Sequence, residues 1–219
     1  MAQMIDQIPV GDSPDDQLSQ CGAFAYDIEI VSAIPMQGEI IDPNLHYCSG
    51  WEDYGGMGIS VVTAYDFVDR AYRVFLQDNL DELRTLINSR HVLIGFNSKR
   101  FDNNVLASNK IHVPEKKCYD LWVHTVATQP EGHRRGYNLA SLLEANGLQS
   151  KSGLGSEAPK WVQTGQWGRC INYCMDDTRL MVQLVRLACA DMMRSPKDGK
   201  YMNVRKPWQV IEYEAGLFQ

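Results

Sequence analysis

Four carboxylates and one phenol in this chain are spaced as metal-assisted hydrolysis would need them. Asp27 and Glu29 stand two apart in Tyr26-Asp27-Ile28-Glu29, and successive strand side chains point to opposite faces, so both acids would share one face. Tyr173 and Asp177 stand four apart in Tyr173-Cys174-Met175-Asp176-Asp177, one helical turn, which sets the phenol beside the carboxylate. Asp176 would point roughly 100° away around the same helix. Asp102 closes Gly95-Phe96-Asn97-Ser98-Lys99-Arg100-Phe101-Asp102, just beyond an apolar run, where it could enter a site from a strand end. Gathering four acids is unfavourable, since two like charges 4 Å apart repel by about 4 kcal/mol at an effective dielectric of 20. Hard cations remove the conflict. All-oxygen ligands favour Mg²⁺ or Mn²⁺ over zinc, and two such ions about 4 Å apart can hold the attacking and leaving oxygens of a phosphodiester. Asp27 is the natural bridge between them.

These side chains need a scaffold, and the hydropathy pattern supplies one. Ala23 to Val31, with small, aromatic and β-branched residues around Asp27, reads as a central strand. Gly58 to Tyr65 and Arg70 to Phe75 read as strands whose short spacing implies antiparallel hairpins. Leu80, Leu83, Leu86 and Ile87 recur at helical spacing behind Asp78 or Asn79 as N-cap. His91 to Phe96 suits a strand buried on both faces. Helix is expected again at Val105-Leu106, Leu121 to Ala127, Tyr137 to Leu148 and Arg169 to Met193, with a short strand or turn at Cys118 to Asp120. The glycine-bearing stretch from Ser150 to Gly168 reads as a loop with at most one helical turn. Strand meanders followed by alternating helices and strands imply an α/β protein, a mixed β-sheet flanked by helices of ribonuclease-H-like type.

Three segments are expected: a flexible acidic arm over 1–21, a catalytic domain over 22–195, and an extension over 196–219 with a small hairpin at Tyr201 to Tyr213. A chain of 219 residues, 44% hydrophobic, can bury a complete core. No apolar stretch approaches the roughly 20 residues of a membrane span. The start lacks the pattern of a secretory signal, so the cytoplasm is the expected compartment and the six cysteines are expected as thiols. Their spacings do not form the paired short intervals of a zinc site, and core packing is the simpler reading. The net charge of −6 opposes an approach to phosphates. Four aspartates in the first twenty residues account for much of it, leaving −2 on the remainder. Lys99-Arg100, Lys116-Lys117, Arg134-Arg135 and Arg205-Lys206 could steer a polyanion or simply be solvated. His133-Arg134-Arg135 could clamp a strand or form a turn, Tyr137 could be core or groove, and Trp161 and Trp167 are expected to pack.

The order and wording of the three acidic motifs resemble the DEDD superfamily of 3′-to-5′ exonucleases, and most nearly the proofreading domain of family B DNA polymerases. The resemblance spans roughly Ala23 to Leu187, and tyrosine four residues before the last aspartate matches the tyrosine subclass, DEDDy. It implies that Asp27, Glu29 and Asp177 bind one metal, that Asp27 bridges to a second, and that Asp102 supports the second. It further implies that Tyr173 orients the attacking water and that Asn97 and Phe101 contact the terminal nucleotides. Ile30 departs from the family, standing where a small polar residue often meets the terminal sugar. Lys151-Ser152-Gly153-Leu154-Gly155 is similar to a loop of stand-alone bacterial or phage exonucleases. Palm and fingers do not fit in this length, so proofreading would act in trans with a replication or repair protein. The expected activity is release of nucleoside monophosphates from single-stranded ends, DNA favoured over RNA, with two divalent cations as cofactors. The rivals are an exoribonuclease and a catalytically silent binding module on the same fold.

Overall fold

The computed structural model describes residues 13–38, 40–130, 134–151 and 153–210. Its frame is a mixed sheet of five strands in the order β3-β2-β1-β4-β5: β1 (Ala23–Ile30), β2 (Ile59–Asp66), β3 (Ala71–Phe75), β4 (Val92–Gly95) and β5 (Cys118–Asp120). β2 runs antiparallel to β1 and β3, whereas β4 runs parallel to β1 and β5. With helices on both faces, this is the α/β, ribonuclease-H-like arrangement anticipated above.

The alternation along β1 explains both faces. Phe24, Tyr26, Ile28 and Ile30 join one core with Leu83 and Ile87 of α3 (Leu80–Ser89) and Val105 and Leu106 of α4 (Asp102–Ser108). Ala23 and Ala25 join the other, against α6 (Leu139–Ala145) and α8 (Trp167–Cys189). Small side chains at 23 and 25 allow a long helix to lie close, and the same face continues into Asp27 and Glu29. On α8 the buried positions Cys170, Tyr173, Cys174, Asp177, Thr178 and Met181 recur every three or four residues, so one stripe meets the sheet. Thr63 of β2 fastens it: Thr63 Oγ1 lies 2.7 Å from Thr178 Oγ1 and 2.9 Å from the Cys174 carbonyl.

Residues 13–21 do not belong to a flexible arm. Pro14–Gln20 form a helix, α1, entered through a capping box in which Ser13 and Asp16 bond reciprocally. Leu18 is fully buried in the α8-side core, and Asp15 holds Arg186 of α8 through two bonds of 2.7 and 2.8 Å. The rest of that expected arm, 1–12, lies outside the described residues. The stretch from Ser150 to Gly168 is likewise more ordered than expected: a 3₁₀ turn at Gly155–Glu157 leads into α7 (Ala158–Gln163), which starts with Pro159 in its first turn and buries Trp161. Proline there is no breaker, since the first-turn amide has no intrahelical partner to lose. The terminal hairpin is replaced by an isolated antiparallel bridge between Arg194 and Tyr201, with a helical turn beginning at Trp208; 211–219 lie outside the described residues. Tyr137 is core, Trp167 is largely exposed, and Arg134 and Arg135 are exposed in a turn, with His133 outside the described residues. Two short helices complete the frame, α2 (Tyr54–Met57) and α5 (Leu121–Val126). Among the described residues, no helix is long and apolar enough to cross a membrane.

Candidate active site

Asp27 and Glu29 leave β1 towards α8, and ligand-capable atoms of Asp27, Glu29 and Cys174 lie within 4.8 Å of one another. A β-bulge at Glu29/Ile30 shifts the β1–β2 register here, so that Glu29 pairs with Val61 and Ile30 with Ile59. Asp177, rather than Asp176, turns inward from α8: it is 4% exposed, while Asp176 faces solvent and pairs with Arg179 at 3.5 Å.

Asp102 is held by a longer chain of causes. After β4 the backbone turns so tightly that a Cβ on Gly95 would stand 2.4 Å from the Ser98 side chain, and Asn97 takes a left-handed φ of 59°. The Asp120 carboxylate, at the start of α5, locks this turn by accepting from the amides of Asn97 at 2.8 Å and Lys99 at 3.1 Å, besides capping its own helix. Asp102 then opens α4 with its side chain buried, and it accepts from the amide of Ile28 on β1. The acid arrives not at the end of β4 but on the helix seven residues beyond it.

Electrostatics record the crowding. Burial pushes the Asp27 carboxyl well above the ordinary carboxylate range, and the charges of Asp102 and Asp177 push it further. Glu29 is raised well above its usual value by burial, then by Asp27 and Asp177. Asp102 rises to about 7, mainly through burial with Asp120 adding to it. Burial also raises Asp177, opposed by Lys151, whose Nζ sits 2.6 Å from Asp177 Oδ2. Burial lifts Tyr173 as well, with the Asp177 charge acting the same way. The other oxygen of Asp177, Oδ1, is buried without a hydrogen-bond partner among the described residues. A carboxylate oxygen is not left so without cost, and a cation is the partner that would relieve both it and the mutual repulsion. The donors suit a hard divalent cation. The sulfur in the cluster does not alter this, because burial and the neighbouring acids keep the Cys174 thiol protonated.

All eight residues singled out in the sequence, Asp27, Glu29, Ile30, Asn97, Phe101, Asp102, Tyr173 and Asp177, line one cavity of about 1270 Å³. Three features escaped sequence reading. Lys151 reaches the acids from a loop noticed only for its wording, and its Nζ lies 5.4 Å from the Tyr173 ring centroid. Cys174 is the core thiol expected, and what the sequence did not show is that its Sγ also lies 3.6 Å from Asp27 Oδ2. The long connection between β1 and α2 forms a whole wall of the cavity. The glycine after Lys151-Ser152 was the available signal: a Cβ on Gly153 would crowd the Trp161 ring at 3.3 Å and touch the Tyr173 ring at 3.5 Å, so the loop lies close against both rings.

No protein-family model and no curated protein matches the chain. Among solved structures, the family B DNA polymerase from the hyperthermophilic archaeon Pyrobaculum calidifontis aligns with a TM-score of 0.49 and 13% identity, over 81% of this chain. The aligned part is 26% of the polymerase, so the chain spans about a quarter of that protein's length.

Proposed function

We propose that this protein is a metal-dependent 3′-to-5′ exonuclease that shortens single-stranded ends, DNA in preference to RNA, releasing nucleoside monophosphates. The observation that carries the reading is the convergence of Asp27, Glu29, Asp102 and Asp177 from three distant segments onto one open cavity, with Asp177 Oδ1 buried and unpartnered among the described residues. The three motifs that bring these acids also follow the DEDDy order, which supports the same reaction.

Two divalent cations, Mg²⁺ or Mn²⁺, held by the four acids, would supply the positive charge that stabilises attacking and leaving oxygens of the scissile phosphodiester. Asp27, crowded by Asp102 and Asp177, would be the residue shared between them. Tyr173 remains a phenol at neutral pH because its acidity is suppressed, so its O–H can donate to and orient a water beside Asp177. The Trp161 ring, edge-on at 5.5 Å, and Gly153 hold Tyr173 in that orientation. Lys151 opposes the rise of the Asp177 carboxyl and adds a positive charge where a phosphate must approach. Asn97 and Phe101 receive the terminal nucleotides, and Ile30 gives the terminal sugar an apolar rather than a hydrogen-bonding neighbour.

The test uses 5′-labelled single-stranded DNA, duplex DNA and RNA of one sequence, with Mg²⁺, Mn²⁺ or EDTA. A ladder shortening from the 3′ end, dependent on metal and absent in Asp27→Ala, is the expected result. Faster loss of RNA than DNA would reassign the substrate. Metal-independent binding without shortening of any strand would favour the silent module and overturn the proposal.

A further inference from the structure

The cavity is larger than the roughly 300–1,000 Å³ that encloses one small molecule, and the β1–α2 connection lines it with two aromatic rings, Tyr47 and Trp51. Trp51 is 57% exposed where it lines the cavity, although burying such a ring is favourable. It is not on a loose tip. Asp53 accepts from the amide and hydroxyl of Ser49 and from the Gly56 amide, closing the turn that carries Trp51. Tyr54 donates to the Arg100 carbonyl at 3.2 Å and accepts, through its own carbonyl, from Ser108 at 2.9 Å, tying the turn to α4. These bonds set the Trp51 ring 6.2 Å from the Phe101 ring at 65°, with Tyr54 also edge-on to Phe101 at 6.5 Å. Arg100, next to Phe101 in the chain, and Lys160 line the same cavity, so cations and aromatic rings share one lining. That combination suits a strand whose phosphates meet the cations while its bases stack.

We propose that Trp51, fixed edge-on to Phe101, forms a stacking subsite for the base of the nucleotide that precedes the one removed. The proposal rests on the exonuclease reading for its occupant, a single strand with its 3′ end at the acids. Trp51 is a specificity-determining residue in this account. It rewards a second unpaired base and makes selection of frayed or single-stranded ends depend on stacking rather than on base identity.

The experiment compares wild type, Trp51→Ala and Trp51→Phe on a single-stranded ten-nucleotide DNA and on the same strand lacking the base next to the 3′ terminus. KM and kcat are measured with Mg²⁺, and Kd with EDTA by fluorescence anisotropy of a 5′-labelled strand. A stacked base contributes about 1–3 kcal/mol, so Trp51→Ala should raise KM and Kd about tenfold, with the loss in KM rather than kcat. Trp51→Phe should recover most of it. Removing the base should cost wild type a similar factor and cost Trp51→Ala little more, because both changes delete one contact. Equal KM and Kd in wild type and Trp51→Ala, or fully additive losses, would overturn the subsite. If wild type shortens no strand, the nuclease reading fails, and the Kd comparison with the abasic strand still decides whether Trp51 stacks a base.

Discussion

Two clusters of buried acid lie at opposite ends of the central strands and behave oppositely. At one end Asp66 is fully buried but answered: Arg90 grips it with bonds of 3.0 and 2.7 Å, and Arg73 approaches at 3.5 Å. Although burial acts to raise it, hydrogen bonding and charge from Arg90 hold its carboxyl below the usual range. At the other end, Asp27, Glu29, Asp102 and Asp177 crowd together with Lys151 on one of them, and all four are raised. A paired acid holds the fold together, whereas an unanswered set stores repulsion that a bound cation can release.

The contrast breaks most directly by deletion. Asp66→Ala strands two arginines and should cost about 3–5 kcal/mol in urea unfolding, whereas Asp27→Ala should leave the unfolding midpoint unchanged or raised while reducing kcat by about 10²–10³-fold or more. Equal destabilisation by both would erase the distinction. The next effect is ligand-linked: Mg²⁺ at about 100 times its Kd should add about 2.7 kcal/mol to wild type, and little to Asp177→Asn, in thermal melts against EDTA.

A pH titration of the metal-free protein sharpens the comparison through opposite slopes. The Asp102 carboxyl, raised to about 7, stays protonated in the folded chain while the unfolded chain ionises, so this group's contribution to stability falls as pH rises from about 4 to 7. Asp66, held low, contributes stability above its ordinary value that is lost as pH falls through the lowered one. Asp102→Asn should therefore flatten the melting-temperature profile between about pH 4 and 7, by about 2–4 °C for each kcal/mol removed. An unchanged profile would show that Asp102 is not crowded. The smallest effect is expected from Tyr173→Phe, about tenfold in kcat with KM little changed; an unaltered kcat would remove its orienting role.

What the sequence made legible follows how local each cause is. Asp27 and Glu29 were readable because strand alternation alone sets their shared face, and Tyr173 with Asp177 because one helical turn does. The route of Asp102 into the site was not readable: it depends on Asp120 bonding a turn more than twenty residues earlier and on a left-handed Asn97. Lys151 and Trp51 escaped for the same reason, since each meets its partners across the cavity. α1 is a different failure. Ser13-Pro14-Asp15-Asp16 is a helix start in its own right, hidden by a polar stretch without an apolar period.

The grip of Asp15 and Leu18 on α8 also bears on synthesis. The helix that seals the core over Leu18 is the one that delivers Tyr173 and Asp177, so a nascent chain still within the ribosome at that point has neither a closed interior nor an assembled acid cluster. Assembling the acid cluster and finishing the fold become a single event.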